Sequence, residues 1–129
     1  MQTTSPPIDF AALIELMGGN HDGVRSLLDI FVSELSADLN ASVAAIEAND
    51  TTRLQHIAHR LKGTSANLYA PMLSAVASEL EQSCKAADGE SLLANHQKVI
   101  EQATRLQEAI AHWLDSASAT DKSEPGLPS

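Results

Sequence analysis

Cysteine occurs once in the 129 residues, at Cys84. A single thiol leaves no internal disulfide and no cysteine-based zinc site, and a reducing cytoplasm is the simplest setting for it. Aromatic side chains are 3% of the residues, too few for the Tyr-, Phe- and Trp-bearing strands of a β-sandwich. Basic residues are scarce: 8 Lys and Arg stand against 17 Asp and Glu, for a net charge of -9. That balance argues against nucleic acid as a main partner, because phosphate backbones are bound by Lys and Arg. It argues against an anionic membrane surface for the same reason. No apolar run approaches the roughly 18 residues of a membrane span. Residues 1–7 have neither a basic start nor an apolar stretch, so no secretory signal is read there.

What the chain does have is Ala, Leu and helical period. Hydrophobic residues make up 43% of it, a composition that favours helices. Three regions are expected: a flexible lead over 1–7, a helical bundle over 8–115, and a Ser-, Pro- and Gly-containing disordered tail over 116–129. Asp9 can cap a short helix from Phe10 to Met17, which Gly18 and Gly19 can stop. Asn20 can cap a long second helix whose inward stripe is Val24, Leu27, Leu28, Phe31, Leu35, Leu39, Val43 and Ile46. Asp50 can cap a third, with Leu54, Ile57, Ala58, Leu61, Ser65 and Leu68 inward. Pro71 suits the first turn of a fourth, which carries Met72, Leu73, Val76, Leu80 and Cys84 and stops near Asp88 and Gly89. The last is read from Ser91 to Asp115, with Leu92, Leu93, His96, Val99, Ile100, Ala103, Leu106, Ile110, Trp113 and Leu114 on its stripe. Short turns between long helices predict an all-α fold: an antiparallel up-down-up-down four-helix bundle with a short extra N-terminal helix.

One histidine stands apart. On a wheel of about 100° per residue, His59 lies about 160° from the centre of the third helix's apolar arc and so faces solvent. Lys62 sits at i+3 and Gly63 at i+4. An exposed mid-helix Gly costs about 1 kcal/mol relative to Ala, and together with Ala66 it leaves bare backbone beside the imidazole, open to close approach by another protein. Arg53, Arg60 and Lys62 make this stretch locally basic on an acidic chain. An exposed nucleophile among cations fits the attachment of an anionic group. His56 forms an i, i+3 pair with His59, a spacing that can bind a metal, but the sequence places no third ligand, and no metal site is expected. His96 falls on the apolar stripe and reads as a half-buried packing residue, and His21 and His112 read as surface residues. Cys84 reads as a small buried hydrophobe.

The segment His59-Arg60-Leu61-Lys62-Gly63-Thr64-Ser65-Ala66-Asn67-Leu68-Tyr69-Ala70 resembles histidine-containing phosphotransfer (HPt) domains. Their motif runs His-x-Leu-Lys-Gly, then small residues, then Leu-Gly-Ala. Leu80-Glu81 resembles the family's Leu-Glu near the end of the next helix, and the likeness extends over about 8–115. The resemblance implies a phosphorelay intermediate that passes a phosphoryl group between receiver-domain aspartates of response regulators. His59 would be phosphorylated through Nε2, Lys62 would contact the phosphoryl group, and Glu81 would hydrogen-bond the other ring nitrogen. Docking is expected on His56, Arg60, Gly63, Ala66, Asn67 and Tyr69. Tyr69 departs from the pattern, which usually has Gly there.

No cofactor is expected in this chain, since the resemblance assigns Mg²⁺ to the partner receiver. None of the GxxxxGK[ST], GxGxxG or GxSxG signatures occurs, so no ATP site and no enzyme activity of its own are expected. The protein is expected to act as a monomer in the cytoplasm, free-standing or as a domain of a hybrid sensor kinase. Two other readings compete: a regulatory module that binds a receiver or enzyme without transfer, and a small hydrolase. The second lacks paired carboxylates or clustered ligands near His59.

Overall fold

The computed structural model describes residues 6–123, all of whose regular structure is helical. Five helices follow one another: α1 (Phe10–Leu16), α2 (His21–Glu47), α3 (Thr51–Asn67), α4 (Pro71–Ala86) and α5 (Gly89–Ser123). Each start has a local cause. Asp9, Asn20 and Asp50 accept hydrogen bonds from the backbone N–H groups of Ala12, Gly23 and Arg53, satisfying donors that a helix end leaves without partners. Pro71 opens α4, where its missing N–H costs nothing. α5 is capped by Asp88, which accepts from Ser91 N at 3.3 Å and from Ser91 Oγ at 2.9 Å.

The four long helices close a ring of contacts, α2 with α3, α3 with α4, α4 with α5, and α5 with α2. The α3–α4 pair is the most intimate. Leu54, Leu61, Leu73, Leu80, Leu106 and Ile110 are each at most 1% exposed and form the core with Leu28 and Leu35. Helix α1 lies across one end. There Phe10 stacks on Trp113 with ring centroids 5.3 Å apart. Ile8 is buried, and Asp9 N–H donates to the Tyr69 carbonyl at 2.9 Å. The N-terminal segment is thereby pinned to the turn between α3 and α4.

Three expectations need correction. Val43 and Leu93, expected inward, are 40% and 57% exposed. Ser42 and Ala45 take the inward positions on α2 instead. Spacings of three and four both continue the stripe from Leu39, and a partner across the bundle decides between them. Ser42 Oγ gives its one proton to the Leu39 carbonyl at 2.7 Å and lies 2.9 Å from His96 Nε2. The hydroxyl therefore accepts from Nε2–H, which fixes the His96 tautomer. Burial pushes this imidazole below its ordinary value. On α5, Val99, Ala103, Leu106 and Ile110 set the buried face, and Leu93 falls off it. The second correction is the stop of α4. The helix ends at Ala86, ahead of Asp88 and Gly89: Ala87 takes the left-handed conformation at φ 56°, and Gly89 begins α5.

The third correction concerns the tail. α5 continues past Asp115 to Ser123, so the stretch expected to be disordered is helical that far. Ala117 and Ala119 favour helix, and the first proline that could break it is Pro125. Residues 1–5 of the expected lead over 1–7, and residues 124–129 of the expected tail over 116–129, lie outside the described residues.

Helix α3 ends in a strained cap. Ala70 N–H bonds the Ser65 carbonyl at 2.9 Å and Tyr69 N–H bonds the Ala66 carbonyl at 3.2 Å, the paired bonds of a Schellman C-cap. That motif demands a left-handed residue, and Tyr69 sits there at φ 59°. A side chain in this conformation costs about 1–2 kcal/mol that glycine does not incur.

Candidate functional site

Helix α3 presents its polar side to solvent because Leu54, Ile57, Ala58, Leu61 and Ser65 are committed to the core. His59 stands on the opposite side with its side chain 68% exposed. Its Nδ1 lies 2.9 Å from Glu81 Oε2. Glu81 comes from α4, follows the core residue Leu80, and keeps only 4% of its side chain exposed. The α3–α4 packing thus aims a buried carboxylate at the inner edge of an exposed imidazole.

Two lysines hold that carboxylate. Lys62 Nζ lies 2.9 Å from Oε1, and Lys85 Nζ lies 3.6 Å from Oε2. Burial alone would raise the Glu81 pKa. The Lys62 contact foremost, with the His59 hydrogen bond and the charge of Lys85, outweighs burial and holds it below its ordinary value. Glu81 is therefore an ionised acceptor at neutral pH and offers no proton, so His59 Nδ1 must carry the hydrogen and donate it. In the neutral ring, Nε2 is left with its lone pair directed at solvent. One carboxylate between two ammonium groups leaves the cluster net positive, on a chain whose total charge is -9.

Nearby contacts steady the frame. Ser74 Oγ donates to the Lys62 carbonyl at 2.9 Å, tying the start of α4 to α3 beside the site. Arg60 pairs with Asp38 of α2. Cys84 is buried, and its thiol is pushed up by burial first and by Glu81 second. It stays protonated at neutral pH, the inert state expected of it. Among the described residues no group of three or more His, Cys, Asp or Glu is placed to hold a metal ion.

Of the residues expected from sequence, His59, Lys62 and Glu81 meet in one cluster. His56, Arg60, Gly63, Ala66 and Asn67 lie along α3 outside its buried stripe, with Tyr69 37% exposed just beyond its end. Sequence reasoning misses Lys85, Asp38 and Ser74. Lys85 is readable in principle, as the i+4 partner of Glu81. Asp38 and Ser74 reach the site only through helix packing.

Gly63 can be tested directly. A Cβ added there would meet no atom within 4 Å, so nothing inside this chain requires glycine. Gly63→Ala is expected to stabilise the fold by about 1 kcal/mol through helix propensity, visible as a rise of roughly 4 °C in a thermal melt. If the bare backbone serves a docking protein, the same variant must lose in partner-dependent activity while it gains in stability. A variant that gains in both would leave Gly63 without a functional reason.

The Hpt domain model matches residues 26–120. The chain is 30% identical over 103 residues to the phosphorelay protein LuxU of two Vibrio vulnificus strains, YJ016 and CMCP6, covering 80% of this chain and 88% of theirs. Its fold is similar to the crystal structure of histidine-containing phosphotransfer protein B (HptB) from Pseudomonas aeruginosa PAO1. The TM-score is 0.79 at 26% identity, over 88% of this chain and 98% of that one. With the match spanning most of the bundle and His59 exposed on it, the chain belongs to the Hpt domain family.

Proposed function

We propose that this protein is a phosphorelay intermediate in two-component signalling, accepting a phosphoryl group from one response-regulator receiver domain and donating it to another through His59. The observation that carries this is the exposed imidazole held by Nδ1 on the buried Glu81. The Nε2 lone pair attacks phosphorus as the bond to the receiver's aspartate oxygen breaks. That carboxylate leaves with the bonding electrons, and the Nδ1 proton stays in place. The ring gains one positive charge, which Glu81 faces, while Lys62 is within reach of the phosphoryl oxygens.

Little else is required of the chain. Phosphoryl transfer depends mainly on positioning and charge stabilisation, and the receiver supplies the Mg²⁺ with its acidic pocket. The chain itself holds no cofactor and does not draw on ATP. The acidic surface suits neither nucleic acid nor anionic lipid, and no helix among the described residues is long and apolar enough to cross a membrane. We place the protein in the cytoplasm as a monomer, free-standing or as a domain of a hybrid sensor kinase.

The test is direct. Incubation with receiver domains charged with radiolabelled phosphate should move label onto this chain, in a form labile to acid and stable to base. A folded chain that takes no label from any of several receivers would instead act as a binding module without transfer.

A further inference from the structure

The face that carries His59 continues past its cluster with Glu81 and the lysines. Ala66 lies seven residues along α3, nearly in line with His59 and about 10 Å further along the axis. There a shallow hollow of about 430 Å³ opens, lined by Asp9, Ala66, Tyr69, Pro71, Ser74 and Ala75. Three segments build it: the end of α3 with its cap, the first turns of α4, and the residue before α1. Its walls are chiefly apolar, with Asp9 as the one charge. Two hydrogen bonds hold it in shape, Asp9 N–H to the Tyr69 carbonyl and Ser74 Oγ to the Lys62 carbonyl.

Tyr69 is the odd component. It occupies a left-handed backbone position at φ 59°, where glycine is the unstrained choice. Its hydrogen bonds to Ala66 and Asp9 are made by the backbone, so glycine would keep both. Tyr69 as a whole is 37% exposed. Neither the fold nor the His59 cluster accounts for its presence, and strain kept at one position points to a use for the side chain.

We infer that the Tyr69 hollow is a second docking point for the receiver domain, taking an apolar side chain from the receiver while its aspartyl phosphate faces His59. This rests on His59 being the phosphoryl acceptor. The occupant is argued from continuity: the hollow lies on the same face, at a distance that one small domain spans. An aromatic anchor buried on docking in a chiefly apolar hollow is the kind of contact that carries binding energy at an interface. Tyr69 then contributes binding to the receiver and nothing to the chemistry at Nε2.

The experiment compares two phosphoryl donors on the full chain. Phosphoramidate reaches His59 as a small molecule and needs no docking; a receiver that charges the wild-type chain needs both. Tyr69→Gly should take phosphoryl from phosphoramidate at a rate within about twofold of wild type. With the charged receiver, its KM should rise about tenfold, as expected when one interface aromatic is lost, with kcat little changed. Tyr69→Phe should behave as wild type, because the ring and not the hydroxyl fills the wall. A KM for Tyr69→Gly within about twofold of wild type overturns the inference. If Tyr69→Gly fails to fold, Ala75→Glu, which puts a charge into the same wall from α4, decides by the same criterion. A wild-type chain that takes phosphoryl from neither donor would instead sink the His59 reading itself.

Discussion

His59→Gln should abolish acid-labile label on this protein while leaving it folded. Glutamine has no nucleophilic nitrogen, since its amide lone pair is delocalised into the carbonyl. Yet its NH₂ can still donate towards Glu81 Oε2, where His59 Nδ1 now lies at 2.9 Å. The side chain is 68% exposed, so the change in stability should stay within about 0.5 kcal/mol, as for most surface substitutions. Circular dichroism and a thermal melt check the fold, and transfer from a charged receiver checks the chemistry. His56 is the internal control. It is exposed one turn earlier on the same helix, but among the described residues no buried carboxylate pairs with it to fix its ring. His56→Gln should keep most of the transfer. Label that persists on His59→Gln and vanishes on His56→Gln would move the acceptor to the neighbouring residue.

Much of this is legible in the sequence because it is local. Caps at Asp9, Asn20 and Asp50 depend on three or four consecutive residues, and the outward direction of His59 follows from the 3.6-residue period of Leu54, Ile57, Leu61 and Ser65. Gly63 and Lys62 gain meaning from their spacing to His59 alone. What stays hidden depends on contacts between helices. The inward choice of Ser42 over Val43 is made by His96, which is 54 residues away in sequence. Pairing of Arg60 with Asp38 spans 22 residues. The meeting of His59 with Glu81 also spans 22 residues, and only the family resemblance reaches it, since no periodicity relates α3 to α4. Left-handed Ala87 cannot be read at all, because alanine carries no preference for that conformation. Tyr69 is visible as a departure from the motif. The structure supplies the reason that glycine is usual there, a backbone at φ 59°.

Glu81 is where chemistry and stability should separate most clearly. Glu81→Leu is expected to slow transfer by on the order of 100-fold, because it removes the carboxylate that holds the His59 imidazole and that, in the proposed transfer, faces its developing charge. Glu81→Gln keeps an acceptor for Nδ1–H without the charge and should fall between. The effect on stability should be small. Removing one member of a buried ion pair costs about 3–5 kcal/mol when a buried charge is left behind. Here the survivors are not buried: Lys62 and Lys85 are 36% and 51% exposed and return to water. A loss of about 1 kcal/mol or less is therefore expected at neutral pH, and leucine can recover part of it by packing beside Leu80 and Cys84. The pH dependence gives an independent readout. The folded chain holds the Glu81 carboxyl below its ordinary value of 4.5, chiefly through Lys62. Its contribution to stability is thus complete above that value and is lost as pH falls through the lower folded one. Urea melts should show Glu81→Gln slightly weaker than wild type at pH 7, with the gap closing in acid. A gap that is constant with pH would mean the ionised carboxylate adds nothing to the fold. Transfer by Glu81→Leu within about threefold of wild type would mean that His59 needs no carboxylate behind it.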